Sequence, residues 1–140
     1  MTDERRALDY VATRSDLDAN RVAYVATSSD RSLKLGLPAV EPRYRAVIWL
    51  GACLRAGDAE VLPEIHPANL IPYIRAPKLL VHGRYDEACR LKSETEPLVK
   101  LLREPKRLAY YDGGHIAPLE FMVPTINSWL DETMGPVNRQ

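Results

Sequence analysis

The chain has 140 residues, 46% of them hydrophobic, 27% charged and 7% aromatic, the size and profile of one ordinary globular domain. Nineteen Lys and Arg balance nineteen Asp and Glu; the two signs are interspersed, which argues against nucleic acid as a partner. The longest uncharged apolar stretches, such as Ala46 to Leu54, fall far short of a bilayer span, and the Met-Thr-Asp-Glu-Arg-Arg start has no apolar signal core, so a cytoplasmic chain without membrane contact is expected.

Ala7, Leu8, Val11 and Ala12 recur at helical spacing behind Asp3 and Glu4, which suit a helix N-terminus, and predict a first helix. Ser15 to Asn20 breaks it with turn chemistry. Arg21 to Ala26 is a short apolar run rich in β-formers and reads as a buried strand. A polar knot, Thr27-Ser28-Ser29-Asp30, leads into Ser32 to Val40, a short helix made irregular by Gly36 and Pro38. Ala46 to Leu50 is a second buried strand, followed by a long irregular connector from Gly51 to Pro77.

Lys78 to Gly83 is a third strand, and Thr95 to Arg103 a helix that tolerates Pro97 in its first turn. Arg107 to Tyr111 is a fourth strand, and Glu120 to Thr133 a closing helix ended by Gly135-Pro136. Strands alternating with helices mean βαβ units with right-handed crossovers. The expected fold is α/β: one domain over 1–140, with a short parallel sheet of about four strands flanked by helices.

In open parallel sheets, ligands bind beyond the carboxyl ends of the strands. Three such ends carry polar groups here: Thr27-Ser28-Ser29-Asp30, Gly83-Arg84-Tyr85-Asp86 and Asp112-Gly113-Gly114-His115. A serine, an acid and a histidine therefore arrive in that chain order at one sheet edge. Taken alone, Ser28 reads as a helix cap, Asp86 as a turn residue and His115 as a loop histidine. Taken together, they stand in the order of an α/β-hydrolase triad.

The run from Asp16 to Asp30 resembles the approach to the nucleophile elbow of the α/β-hydrolases, especially the dienelactone-hydrolase and acyl-peptidase-like serine esterases. Leu80-Val-His-Gly-Arg-Tyr-Asp86 resembles their acid strand, and Asp112-Gly-Gly-His115 their histidine loop. The resemblance covers the family's C-terminal half, so it implies a truncated α/β-hydrolase fold lacking the N-terminal strands. Carried over residue by residue, it implies Ser28 as nucleophile, Asp86 as acid, His115 as base and the Ser29 amide as oxyanion donor. The implied activity is hydrolysis of short-acyl esters through an acyl-enzyme, with a small-molecule ester as substrate and no cofactor or metal.

Two departures qualify that resemblance. The family elbow reads Gly-x-Ser-x-Gly, whereas this chain has Ala26-Thr27-Ser28-Ser29-Asp30, which places a carboxylate where the motif has no side chain. The loop that supplies a second oxyanion donor precedes the matched half; losing one such donor costs on the order of 10²–10³ in rate. A non-catalytic, self-associating scaffold or binding module is therefore the alternative reading. The strand near Val22 to Ala26 is expected to lie at an unpaired apolar edge and to recruit a second copy, giving a homodimer or higher homo-oligomer; zero net charge favours such association.

The remaining candidates read modestly. Two cysteines, Cys53 and Cys89, make neither a disulfide framework nor a zinc site and read as buried small hydrophobes. His82 reads as structural within its strand, while His66 in the connector is a candidate pocket residue. Tyr73, Tyr85, Tyr110 and Tyr111 read as core and rim.

Overall fold

The four apolar runs pair side by side in the computed structural model, which describes residues 2–28, 33–55 and 62–137. β1 (Ala23–Thr27), β2 (Ala46–Leu50), β3 (Lys78–Gly83) and β4 (Lys106–Tyr111) form one sheet in the order β1-β2-β3-β4, and every pairing is parallel. The central strands β2 and β3 are almost wholly buried, which is why both are unbroken apolar runs and not alternating ones. The register sets Thr27 opposite Leu50 and Gly83 opposite Tyr111. The carboxyl ends therefore finish together at one edge.

Helices cover both faces. Leu8 of α1 (Thr2–Thr13), Leu35 and Leu37 of α2 (Leu33–Val40) and Leu98 of α4 (Glu96–Leu101) share a buried cluster with Tyr24, Val47, Trp49 and Leu80. On the opposite face, α5 (Leu119–Met134) lays Phe121, Ile126, Trp129 and Leu130 on Ile48, Leu79, Val81 and Tyr111. Leu8 and Trp129 are the buried anchors of the first and last helices. Emptying a large aromatic site such as that of Trp129 costs about 3–5 kcal/mol.

Several boundaries differ from the expected ones for local reasons. β1 begins at Ala23 and takes Thr27 from the polar knot. The Gly51–Pro77 connector holds α3 (Pro67–Leu70) and a following 3-10 turn over Ile71–Tyr73. A π-helical turn, Leu91–Thr95, runs into α4, which places Pro97 in the first turn as expected. Helix α2 continues through Pro38. A proline there cannot donate to the carbonyl four residues back, and the Tyr24 hydroxyl donates to that carbonyl, Lys34 O, at 3.0 Å instead.

The cysteines need a correction. Both are buried, as expected of small hydrophobes, but they are bonded to each other, Cys53 to Cys89, across 36 residues of sequence. Spacing could not show this, because the contact is made by the loops that leave β2 and β3. Among the described residues, no helix is long and apolar enough to cross a membrane.

Candidate active site

The site begins where β1 stops. The Ser28 amide donates to Leu50 O at 2.7 Å, the last rung against β2. At Ser28 the backbone turns to φ 55°, a left-handed conformation that non-glycine residues seldom adopt and that costs on the order of 1–3 kcal/mol. The sharp turn leaves an exposed side chain standing at the sheet edge, and Ser28 Oγ lies 2.8 Å from His115 Nε2.

His115 is held by the loop that leaves β4. The Tyr111 hydroxyl donates to Gly114 O at 2.6 Å, and the Tyr85 amide donates to Gly113 O at 3.0 Å, tying the histidine loop to the loop after β3. The imidazole packs on Gly51, whose φ is +66°; a Cβ there would stand 3.0 Å from His115 Cε1. Glycine at position 51 thus serves both the left-handed turn after β2 and the space for the ring. His115 Nδ1 lies 2.7 Å from Asp86 Oδ2. An ionised carboxylate only accepts, so Nδ1 carries the proton and Nε2 is free to accept from the Ser28 hydroxyl.

Asp86 is buried. Its Oδ1 accepts the amides of Ala88 at 2.9 Å and Cys89 at 2.8 Å, which fixes the carboxylate plane. Burial pushes the carboxyl up, but the hydrogen bonds from His115 and Cys89, with the fields of His115 and His82, outweigh it and hold the group below its ordinary value.

A second imidazole stands behind the acid. His82, expected to be structural, is fully buried, with Nε2 3.0 Å from Cys89 O and 3.9 Å from Asp86 Oδ2. Burial pushes its pKa down, which keeps the ring neutral, and its Nδ1 has no hydrogen-bond partner among the described residues.

Beside Ser28 and His115 opens a cleft of about 310 Å³ with walls from Leu50, Val81, Ala117, Leu119 and Met122. His66 does not line it: that imidazole caps α3, accepting from the Ala68 amide at 3.1 Å. Of the four tyrosines, Tyr73 and Tyr85 are exposed, and Tyr111 is buried and borders the cleft. Among the described residues, no cluster of three or more His, Cys, Asp or Glu could hold a metal ion. Ser28, Asp86 and His115 are thus brought into one hydrogen-bonded chain, while Ser29 and Asp30 lie outside the described residues. Sequence order marked the three linked residues; the roles of Gly51 and Tyr111 in seating them carry no local signal.

No protein-family model matches the chain, and no curated protein matches it. Its four-stranded parallel sheet with flanking helices matches part of the α/β fold of solved hydrolases and esterases. The chain is similar to 2,6-dihydroxy-pseudo-oxynicotine hydrolase, with a TM-score of 0.73 at 18% identity over 93% of this chain and 45% of that one. A cold-adapted esterase from an Arctic intertidal metagenomic library gives 0.71 at 21% identity over 94% of this chain and 56% of that one. Acetyl xylan esterase 1 from Thermoanaerobacterium sp. JW/SL YS485 gives 0.66 at 20% identity over 92% of this chain and 51% of that one. The chain thus spans about half the length of these solved structures.

Proposed function

We propose that the chain is a serine hydrolase acting on carboxylic esters with short acyl groups. The observation that carries this reading is the unbroken line from Ser28 Oγ to His115 Nε2 and from His115 Nδ1 to Asp86 Oδ2, begun at a left-handed serine. The similar solved proteins, themselves hydrolases and esterases by name, support it.

In this reading, Ser28 Oγ attacks the ester carbonyl as its proton passes to His115 Nε2. Asp86 holds the imidazole in the required tautomer and stabilises the imidazolium. Collapse of the tetrahedral intermediate expels the alcohol, which takes the proton from His115. Water then attacks the acyl-enzyme, with His115 as base, and regenerates Ser28. Sequence order assigns the oxyanion to the Ser29 amide. The apolar cleft beside Ser28 accommodates the acyl chain.

A fluorophosphonate probe tests the reading. A stoichiometric adduct located on Ser28 by mass spectrometry, and absent in Ser28→Ala, is expected. A folded protein that takes no label overturns it in favour of the non-catalytic scaffold. One observation favours self-association under either reading: among the described residues β1 lies at one end of the sheet, and Val25 on it is 51% exposed, so a second copy is proposed to pair along Val22–Ala26. Sedimentation velocity across a concentration series reports that association directly.

A further inference from the structure

We propose that the Cys53–Cys89 disulfide is a positioning pair for the Asp86 carboxylate, so that the reactivity of Ser28 follows the oxidation state of this bond. The inference rests on the hydrolase reading above. The bond joins the two loops that confine the histidine–carboxylate pair. The Cys89 amide donates to Asp86 Oδ1 at 2.8 Å, and the Cys89 carbonyl accepts from His82 Nε2 at 3.0 Å. Cys53 lies two residues beyond Gly51, the glycine against which the His115 ring is seated.

Around the bond the two loops share further contacts. The Leu54 amide donates to Glu94 O at 3.1 Å, and the buried Thr95 hydroxyl lies 3.2 Å from His82 Nε2. The Thr95 hydroxyl also donates to Ala52 O at 3.5 Å and Arg55 Nη2 to Ala88 O at 3.5 Å. The sulfur bridge is the covalent tie between the loop after β2 and the acid loop, and the 84–90 loop is a set of turns and bends with no regular ladder. Cutting the bridge removes the covalent tie that holds Cys89, and with it one of the two amides that orient Asp86, in register with the loop carrying Gly51, and leaves that register to hydrogen bonds alone. A misplacement of about 1 Å in such an arrangement costs on the order of 10²-fold in rate.

Reduction by a dithiol breaks the S–S bond. Two electrons and two protons pass to Cys53 and Cys89, and the reagent leaves as its own cyclic disulfide. Such bonds persist in oxidising compartments and are opened by cytosolic thiols, so the bridge would give the chain a fast oxidised state and a slow reduced one.

The test compares the oxidised chain with Cys53→Ala, with Cys89→Ala and with wild type reduced by dithiothreitol, each shown to be folded by circular dichroism. Two readouts are taken well below the unfolding temperature: the rate of fluorophosphonate labelling at Ser28, and the low-field proton resonance of His115 Nδ1–H, which a merely stabilising bridge would not move. Labelling at least about tenfold slower without the bridge, with that resonance shifted or lost, is expected. Equal rates within about twofold and an unchanged resonance overturn the proposal. Unfolding of all three bridge-free forms also overturns it, by assigning the bond to the fold as a whole. If even the oxidised chain takes no label, the hydrolase reading fails, and the resonance alone decides whether the bridge positions the pair.

Discussion

A side chain at Gly83 would collide with the backbone of Gly114: its Cβ would stand 2.0 Å from the Gly114 carbonyl oxygen and 2.5 Å from that of Gly113. The end of β3 and the histidine loop therefore touch backbone to backbone, and neither obstacle is a flexible side chain that could swing aside. Gly83→Ala should push the 113–115 loop outward and separate His115 from both Ser28 and Asp86. The expected result is loss of Ser28 labelling by about two orders of magnitude and destabilisation of roughly 1–3 kcal/mol from overpacking, read by labelling kinetics and urea unfolding.

Asp86→Asn tests the acid separately from the loop. The amide is nearly isosteric, so the fold should persist, but it can present an N–H to His115 Nδ1 and so favour the tautomer with its proton on Nε2. That ring can no longer accept from Ser28. Hydrolysis of a p-nitrophenyl ester should fall by about 10³–10⁴, as it does when the corresponding acid of a serine protease is made an amide. A loss under tenfold would remove Asp86 from the mechanism.

The strands were legible because buried parallel strands are continuous apolar runs, and Ala46–Leu50 and Lys78–Gly83 each stand between polar segments. Ser28, Asp86 and His115 were legible because the topology sends every strand end to the same edge, so chain order became spatial proximity. The Cys53–Cys89 bond, the seat of His115 on Gly51 and the approach of His82 to Asp86 were not legible in this way. Each depends on how loops fold back over the edge, which strand periodicity does not encode. The helix read over Ser32 to Val40 does run through Pro38 to Val40, because the hydrogen bond that the proline cannot make is replaced by one from Tyr24, on a neighbouring strand.

The cleft gives the acyl-length preference a structural handle. Met122 on α5 forms part of the wall near Ser28, and it is only partly buried, so a larger side chain there should be accommodated without unfolding. Met122→Trp should narrow the cleft and lower the preference for butyrate over acetate esters by about tenfold, since each methylene in an apolar pocket is worth roughly 10-fold or more. The ratio of kcat/KM for the two esters is the measurement. An unchanged ratio would place the acyl chain elsewhere.

Away from the site, Glu41 should govern acid stability. It is 2% exposed and receives Arg43 on both oxygens, Nε at 2.7 Å and Nη2 at 2.7 Å, with Arg5 at 3.3 Å. Hydrogen bonding from Arg43 outweighs the cost of burial and lowers the carboxyl from 4.5 to about 2. A carboxyl depressed by folding contributes stability above its unfolded value, and that contribution is lost as pH falls through the folded one. The window here runs from 4.5 down to about 2. Because both arginines are partly exposed, screening holds the contribution to about 1–2 kcal/mol. Glu41→Gln should therefore lower the urea midpoint at neutral pH, and the difference from wild type should shrink steadily across that window. A difference that stayed constant with pH would mean that Glu41 acts through packing and not through its charge.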